Sequence, residues 1–188
     1  MSSQTACPTG TSAFCFCSSQ ALCLLLLFFA ANTINGPIEK GINQRYLNDA
    51  RRIVQSMRNL LVIGITGSYG KTSVKHFLHT VLAQQFNVLM TPESFNTPMG
   101  VTRTVRSSLS PTHDIFIAEM GAKQTGDIKE LCDLAQPKMG IITSIGPQHL
   151  ETFKTLENVQ ATKFELVESL PADGTAFFEL RRSEHRFL

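Results

Sequence analysis

The sequence predicts an α/β domain of three layers with a mostly parallel sheet, preceded by a hydrophobic helix that crosses a membrane. Three observations predict it. Short apolar runs rich in branched residues alternate with stretches of helical period from Leu60 to Leu170. A glycine-rich turn closed by Lys71 and Thr72 stands between the first run and the first helical stretch. An uncharged segment, Ala13 to Ala31, precedes both.

The elements follow in order. Leu60 to Thr66 (LLVIGIT) reads as a strand. After the glycine turn, Val74, Phe77, Leu78, Val81 and Leu82 recur at the spacing of one helix face. Asn87 to Met90 reads as a second strand, and Thr91 to Gly100 as a turn-rich segment. A helix is expected over Val101 to Ser108. Asp114 to Glu119 (DIFIAE) reads as a buried strand. Thr125 is placed to cap a helix holding Ile128, Leu131, Leu134 and Ala135, with Asp127 favourable in its first turn. Lys138 to Ser144 (KMGIITS) is a further strand and Thr155 to Leu170 a further helix. Strands alternating with helices imply a parallel sheet with right-handed crossovers. Parallel strands covered on both faces read as continuous apolar runs, as these do.

Residues 1–36 form a hydrophobic segment with no charged residue before Glu39. The stretch 13–31 (AFCFCSSQALCLLLLFFAA) has about the 20 residues that a spanning helix needs. No Lys or Arg precedes its apolar part, which disfavours a secretory signal. Lys40, Arg45, Arg51, Arg52 and Arg58 follow it, so the downstream side should face the cytoplasm. Residues 37–59 read as a basic connector in which Leu47, Ala50, Ile53, Val54 and Met57 recur at helical spacing.

Composition excludes several classes. Charged residues are 17 % and apolar residues 43 % of the 188, which is enough for a core. A net charge of +2 without a basic patch argues against a nucleic-acid partner. Four of the five cysteines crowd into the first two dozen residues and no CxxC pair occurs, so neither a zinc site nor a disulfide framework is expected.

The turn Gly67-Ser68-Tyr69-Gly70-Lys71-Thr72-Ser73 carries the clearest chemistry. Gly67 and Gly70 let the backbone wrap closely around an anion, with N–H groups turned inward. The helix beginning near Lys71 adds its positive end. Lys71 supplies a charge for terminal phosphates, and the Thr72 hydroxyl suits Mg2+. Ser68 and Ser73 complete the cradle. The first glycine of the general pattern is replaced by Ile65, but strand, turn and helix stand in the right order. The domain is therefore expected to be a P-loop fold.

Three more residues fall where loops follow parallel strands, the usual ligand position in such sheets. Glu119 ends its strand as a carboxylate suited to a hard cation. His149 lies in the loop after the strand ending near Ser144. Lys163 falls in the middle of the stripe formed by Leu156, Val159, Val167 and Leu170. A lysine there must snorkel, pair with an anion, or be chemically changed. His76 and His79 read as surface residues of the first helix.

These pieces, in this order, resemble the central domain of the Mur ligase family. The matching stretches are ITGSYGKTS (65–73), FNTPMG (95–100), AEMGAKQTGDI (118–128), IGPQHLE (145–151) and TKFEL (162–166). The EMGA motif with its following Gly-Asp-Ile is similar to the branch that adds D-alanyl-D-alanine. The resemblance implies an ATP-dependent amide ligase of cell-wall precursor synthesis. It implies ATP phosphates on Gly67, Gly70, Lys71 and Thr72, and Mg2+ on Thr72 and Glu119. It implies a second Mg2+ on His149 and on a carbamylated Lys163, with Lys71, His149 and Lys163 in catalytic roles. Asn96 and Thr97 would lie near a UDP-muramyl peptide whose terminal carboxylate is activated and then coupled to D-alanyl-D-alanine.

On this reading residues 60–178 are an incomplete central domain, and 179–188 (ELRRSEHRFL) is a tail without a match. The family's UDP-sugar-gripping domain is missing ahead of it, which implies a fragment that binds nucleotide without turning over. Rival readings are a folate polyglutamylating ligase of the same fold, another P-loop NTPase, and a truncated nucleotide-binding protein without chemistry. The absence of an NKxD motif counts against a GTPase.

Overall fold

The computed structural model describes residues 11–93, 95–147 and 150–178. Two compact units divide the chain, residues 1–44 and 45–188. One helix, α1, runs from Thr11 to Ser56 with Pro37 in its interior. In the first unit Leu24, Leu27, Phe28 and Phe29 are exposed. Most side chains of the expected spanning segment, 13–31, lie outside the described set. Among the described residues, no helix is long and apolar enough to cross a membrane.

The second unit holds a five-stranded, wholly parallel sheet in the order β2-β3-β1-β4-β5. The strands are β1 (Leu61–Thr66), β2 (Val88–Met90), β3 (Ile115–Glu119), β4 (Met139–Ile142) and β5 (Thr175–Phe178). The helices are α2 (Lys71–Leu82), α3 (Pro98–Ser108), α4 (Asp127–Ala135), α5 (Leu150–Phe153) and α6 (Leu156–Glu168). β1 lies between β3 and β4, and its residues 62–66 are buried.

The period of two sends alternate residues of β1 to opposite faces. Ile63 and Ile65 join Ile115 and Ile117 against Val74, Leu78 and Leu82 of α2. Val62 joins Phe116 and Ala118 on the other face, under α3, α4, α6 and the end of α1 through Ala50 and Val54. Helices on both faces make the expected three layers. Arg106 fixes α3 to the end of α1, with Nε 2.7 Å from Asp49 and its guanidinium 4.3 Å over the Tyr46 ring. Cys132 is buried in this core, and burial pushes its thiol up to about 12, which leaves it inert.

Several expectations shift. Phe77 and Val81 are 73 % and 68 % exposed, so the apolar face of α2 is narrower than five residues at helical spacing implied. α3 begins at Pro98 rather than near Val101, because Thr97 is its N-cap and Pro98 suits the first turn. Thr125 does not cap α4: the N-cap is Gly126 at φ 95, without a side-chain cap bond from that position. The α4 amides are met instead by Glu165 of α6, whose carboxylate accepts from Gly126 N (2.7 Å) and Lys129 N (3.0 Å). On α6, Leu156 is exposed and Leu166 takes the buried position, so the stripe runs Val159, Thr162, Lys163, Leu166. The strand β5 and the short α5 had no counterpart in the sequence reading.

Candidate nucleotide-binding site

The site gathers at the carboxyl ends of β1 and β3. Past Thr66 the chain turns through Gly67 at φ 146 and Gly70 at φ 81, both in the region that favours glycine. A methyl group at Gly67 would run into the Thr143 side chain, whereas Gly70 has open space around it. Gly70 is also the N-cap of α2, and the first-turn amides of α2 have no side-chain cap. That leaves positive dipole and N–H groups for an anion.

The loop is held from behind. Ser68 N donates to Ser144 O at 2.7 Å, and Ser68 Oγ donates to Gly146 O at 3.0 Å. Thr143 Oγ1 donates to Tyr69 O at 2.6 Å, and Tyr69 Oη donates to Pro147 O at 3.2 Å. Ser68 is thus a brace through its side chain, while Ser73 is exposed at the start of α2.

Lys71 folds back on this loop, Nζ donating to Gly67 O at 2.8 Å. Burial pushes its proton affinity below the ordinary value, and the Glu119 carboxylate pulls it back up. The Thr72 hydroxyl donates to Glu119 Oε2 at 3.1 Å. Glu119 is 1 % exposed at the end of β3. Asn96 Nδ2 donates to its other oxygen at 3.3 Å. The structure therefore brings Thr72, Glu119 and Asn96 together. Thr97 stands beside them, but its hydroxyl is engaged as the α3 cap, accepting from Gly100 N at 3.3 Å.

Lys163 is 2 % exposed and lines the same groove as Lys71, Asn96, Thr97 and Asp127. Burial lowers its proton affinity to about 8; the neighbouring charge of Lys71 adds to the fall, and the carboxylates of Asp127 and Glu165 oppose it. His149 lies outside the described residues. His76 is exposed and His79 half-buried on α2.

One residue of the site escaped the sequence reading. Lys75, one turn beyond Lys71, is fully buried, and its ammonium lies 2.9 Å from Glu119 Oε2. The signal was present: Lys75 is one after Val74, three before Leu78 and seven before Leu82, on the face of α2 that meets the sheet.

Among the described residues, no cluster of three His, Cys, Asp or Glu is assembled for a metal. The donors present fit a different arrangement. Mg2+ is commonly held by one or two protein oxygens, with phosphates and water completing its shell. Thr72 Oγ1 and Glu119 offer such hard oxygens beside the phosphate loop.

The order of the sheet, the glycine turn with its lysine and threonine, and the carboxylate across from it define a parallel α/β domain of the P-loop kind. A family model described as the Mur ligase middle domain matches residues 65–187, and the chain belongs to that family. The match runs into residues 179–187, whose structure lies outside the described residues.

Curated relatives agree with it. The chain is 38 % identical over 115 residues to the UDP-N-acetylmuramoyl-tripeptide–D-alanyl-D-alanine ligase of Synechocystis sp., covering 61 % of this chain and 25 % of that protein. It is 40 % identical over 115 residues to the Mycobacterium tuberculosis enzyme of the same name, covering 61 % and 22 %. The Bacillus subtilis enzyme of that name is 37 % identical over 117 residues, covering 62 % and 25 %. The chain thus spans about a quarter of the length of these relatives. Among solved structures, MurF ligase from Thermotoga maritima in complex with ADP superposes with a TM-score of 0.69 at 30 % identity, covering 72 % of this chain and 31 % of that one. MurF from Acinetobacter baumannii gives 0.69 at 26 % identity, covering 72 % and 30 %.

Proposed function

We propose that this chain supplies the ATP-binding part of an amide ligase that couples D-alanyl-D-alanine to a UDP-muramyl tripeptide. The observation that carries the reading is a pair of adjoining cavities that share Lys71 and Asn96, one lined by Thr72 and Glu119 and the other by Lys163. The names of the curated relatives and the ADP complex of a structural relative support the same reading.

The chemistry asks for charge neutralisation and alignment. The loop amides of 69–72 and the α2 terminus would receive the phosphates. Lys71 would leave its carbonyl contact at Gly67 and take a phosphate oxygen in exchange. Thr72 and Glu119 would hold a first Mg2+, which supplies Lewis-acid neutralisation of phosphate charge when bound. The terminal peptide carboxylate would attack the γ-phosphorus, forming an acyl phosphate and releasing ADP. The amine of D-alanyl-D-alanine would then attack the acyl carbon, releasing phosphate and one proton. Asn96 stands where it could orient the peptide.

Lys163 suits the proposed carbamylation. A neutral amine attacks CO2 and loses a proton, giving an N-carboxylate and H+. A lysine held at about 8 is partly neutral near physiological pH, while an ordinary lysine is not. The product is an anion, suited to join His149 on a second Mg2+. Segment 13–31 would hold the protein at the cytoplasmic face of a membrane, and the exposed Leu24, Leu27, Phe28 and Phe29 support this.

Calorimetric titration of the full chain with Mg·ATP tests the reading. Binding that Lys71→Met weakens at least about tenfold is expected, the scale of one lost charge-assisted phosphate contact. A folded sample that takes up no Mg·ATP would remove the basis for a ligase.

A further inference from the structure

Lys75 has a buried place in the site and no assigned task. It is fully buried, and its Nζ lies 2.9 Å from Glu119 Oε2, the same oxygen that accepts from Thr72. The ammonium also donates to the carbonyl of Glu93. Glu93 is a non-glycine residue at φ 41, in the loop between β2 and α3. That loop returns to the same carboxylate through Asn96 Nδ2, 3.3 Å from Oε1. It is tied to β3 again by Thr91, whose N donates to Ile117 O at 3.0 Å and whose Oγ1 accepts from Glu119 N at 3.1 Å, and to the residues just past β3 by Gly121 N donating to Asn96 O at 2.8 Å.

A structural ion pair alone is a weak account of this lysine. A buried pair can often be exchanged for apolar side chains of similar volume at little cost to stability. An apolar side chain at position 75 would fill the space. It would not restrain the Glu119 carboxylate beside Thr72, and it would not hold the Glu93 carbonyl. Groups that orient a metal-binding carboxylate typically control affinity for the metal although they do not touch it.

We propose that Lys75 is a positioning residue that couples metal binding at Glu119 to the order of loop residues 91–93 and 95–97. The inference rests on the ligase reading for the role of Glu119. Its consequence is that metal-nucleotide occupancy and the loop expected to face the acceptor peptide respond together. With the carboxylate recruited by a metal, the Glu93 carbonyl stays in place because Lys75 still joins it to Glu119, and Asn96 stays through its own bond to Glu119 Oε1.

The probe is ADP with Mn2+ on the full chain, read by nucleotide affinity and by amide exchange at 91–97. In the wild type, Mn2+ should strengthen ADP binding and slow exchange in this loop, whereas ADP with a chelator should not slow it. In Lys75→Met, the metal-free ADP affinity of the variant itself is the reference against which its Mn2+ gain is read. The gain from Mn2+ should fall about tenfold or more, and loop exchange should no longer respond to metal. Lys75→Arg, which keeps the charge, should recover part of the gain. A merely structural lysine would lower the melting temperature and leave the Mn2+ gain unchanged; that result overturns the proposal. If Lys75→Met does not fold, the wild type decides: equal loop protection with and without Mn2+ overturns it, and protection only with Mn2+ supports it. A wild-type chain that binds no ADP overturns both this inference and the ligase reading, whereas an unaltered Lys75→Met overturns this inference alone.

Discussion

Glu165 caps a helix to which it does not belong: its carboxylate accepts the Gly126 amide at 2.7 Å, and so fastens α6 to the start of α4. The same carboxylate accepts from Lys129 N at 3.0 Å. Anionic acceptors at helix N-termini stabilise through both hydrogen bonding and the helix dipole. Glu165→Ala should therefore cost about 1 kcal/mol, the usual scale for a lost cap, as measured by urea unfolding. It should also lower the proton affinity of Lys163 further, because the Glu165 charge opposes the effect of burial there. An unfolding midpoint equal to wild type would mean that the cap contributes nothing.

Lys163 should make stability depend on alkaline pH. Its folded value, about 8, lies below the ordinary 10.5. Between these values the unfolded chain binds the extra proton, so stability should rise with pH across that window. The contribution cannot exceed about 1.4 kcal/mol per pH unit for one proton. Lys163→Met should be more stable than wild type at pH 7 and should lack this rise. Denaturant melts at pH 7 and pH 9.5, without bicarbonate, check both. Adding labelled bicarbonate to the wild type should give a carbamate signal in carbon NMR that Lys163→Met lacks.

The two glycines of the phosphate loop should differ in their tolerance. Gly70→Ala places a methyl group in open space, so its penalty is the left-handed backbone alone, about 1–2 kcal/mol. Gly67→Ala adds a collision with Thr143 and an approach of 3.2 Å to the Ser144 carbonyl. It should lower the melting temperature more than Gly70→Ala does. Comparable melting temperatures for the two variants would contradict this account.

Thr102 of α3 is buried, and among the described residues its hydroxyl is the buried side-chain polar atom without a hydrogen-bond partner. An unpaired buried hydroxyl costs about 1–3 kcal/mol. Thr102→Val keeps the shape and removes the polar atom, so it should be neutral or stabilising by about 1 kcal/mol in urea melts. Clear destabilisation would show that the hydroxyl is satisfied in solution.

Much of this arrangement was legible because the signals were local. The phosphate loop needs two glycines, a lysine and a threonine next to one another, and a short sequence window contains all of them. Lys163 was legible because period 3.6 put a charge between Val159 and Val167, and that charge is buried. Lys75 obeys the same arithmetic but was hidden by its neighbours. Phe77 and Val81 pulled the apparent apolar face of α2 toward solvent and left Lys75 outside it. Intrinsic apolarity says which residues prefer burial; it does not say which side a sheet will approach. The strand β5 was illegible for another reason. Thr175–Phe178 is four residues long and gains its ladder only from β4, far back in sequence. The Glu165 cap is equally non-local, since β4 and α5 lie between its acceptor and the amides it serves.

The braces from Ser68 and Tyr69 to residues 144–147 have a mechanical consequence. The glycine turn 67–70 and the segment 143–147 are stitched by backbone and hydroxyl contacts into one stiff plate. Any recoil of the first on nucleotide entry is transmitted to the second without a hinge between them. Two ends of the pocket that belong to different crossovers would then advance and retreat in step.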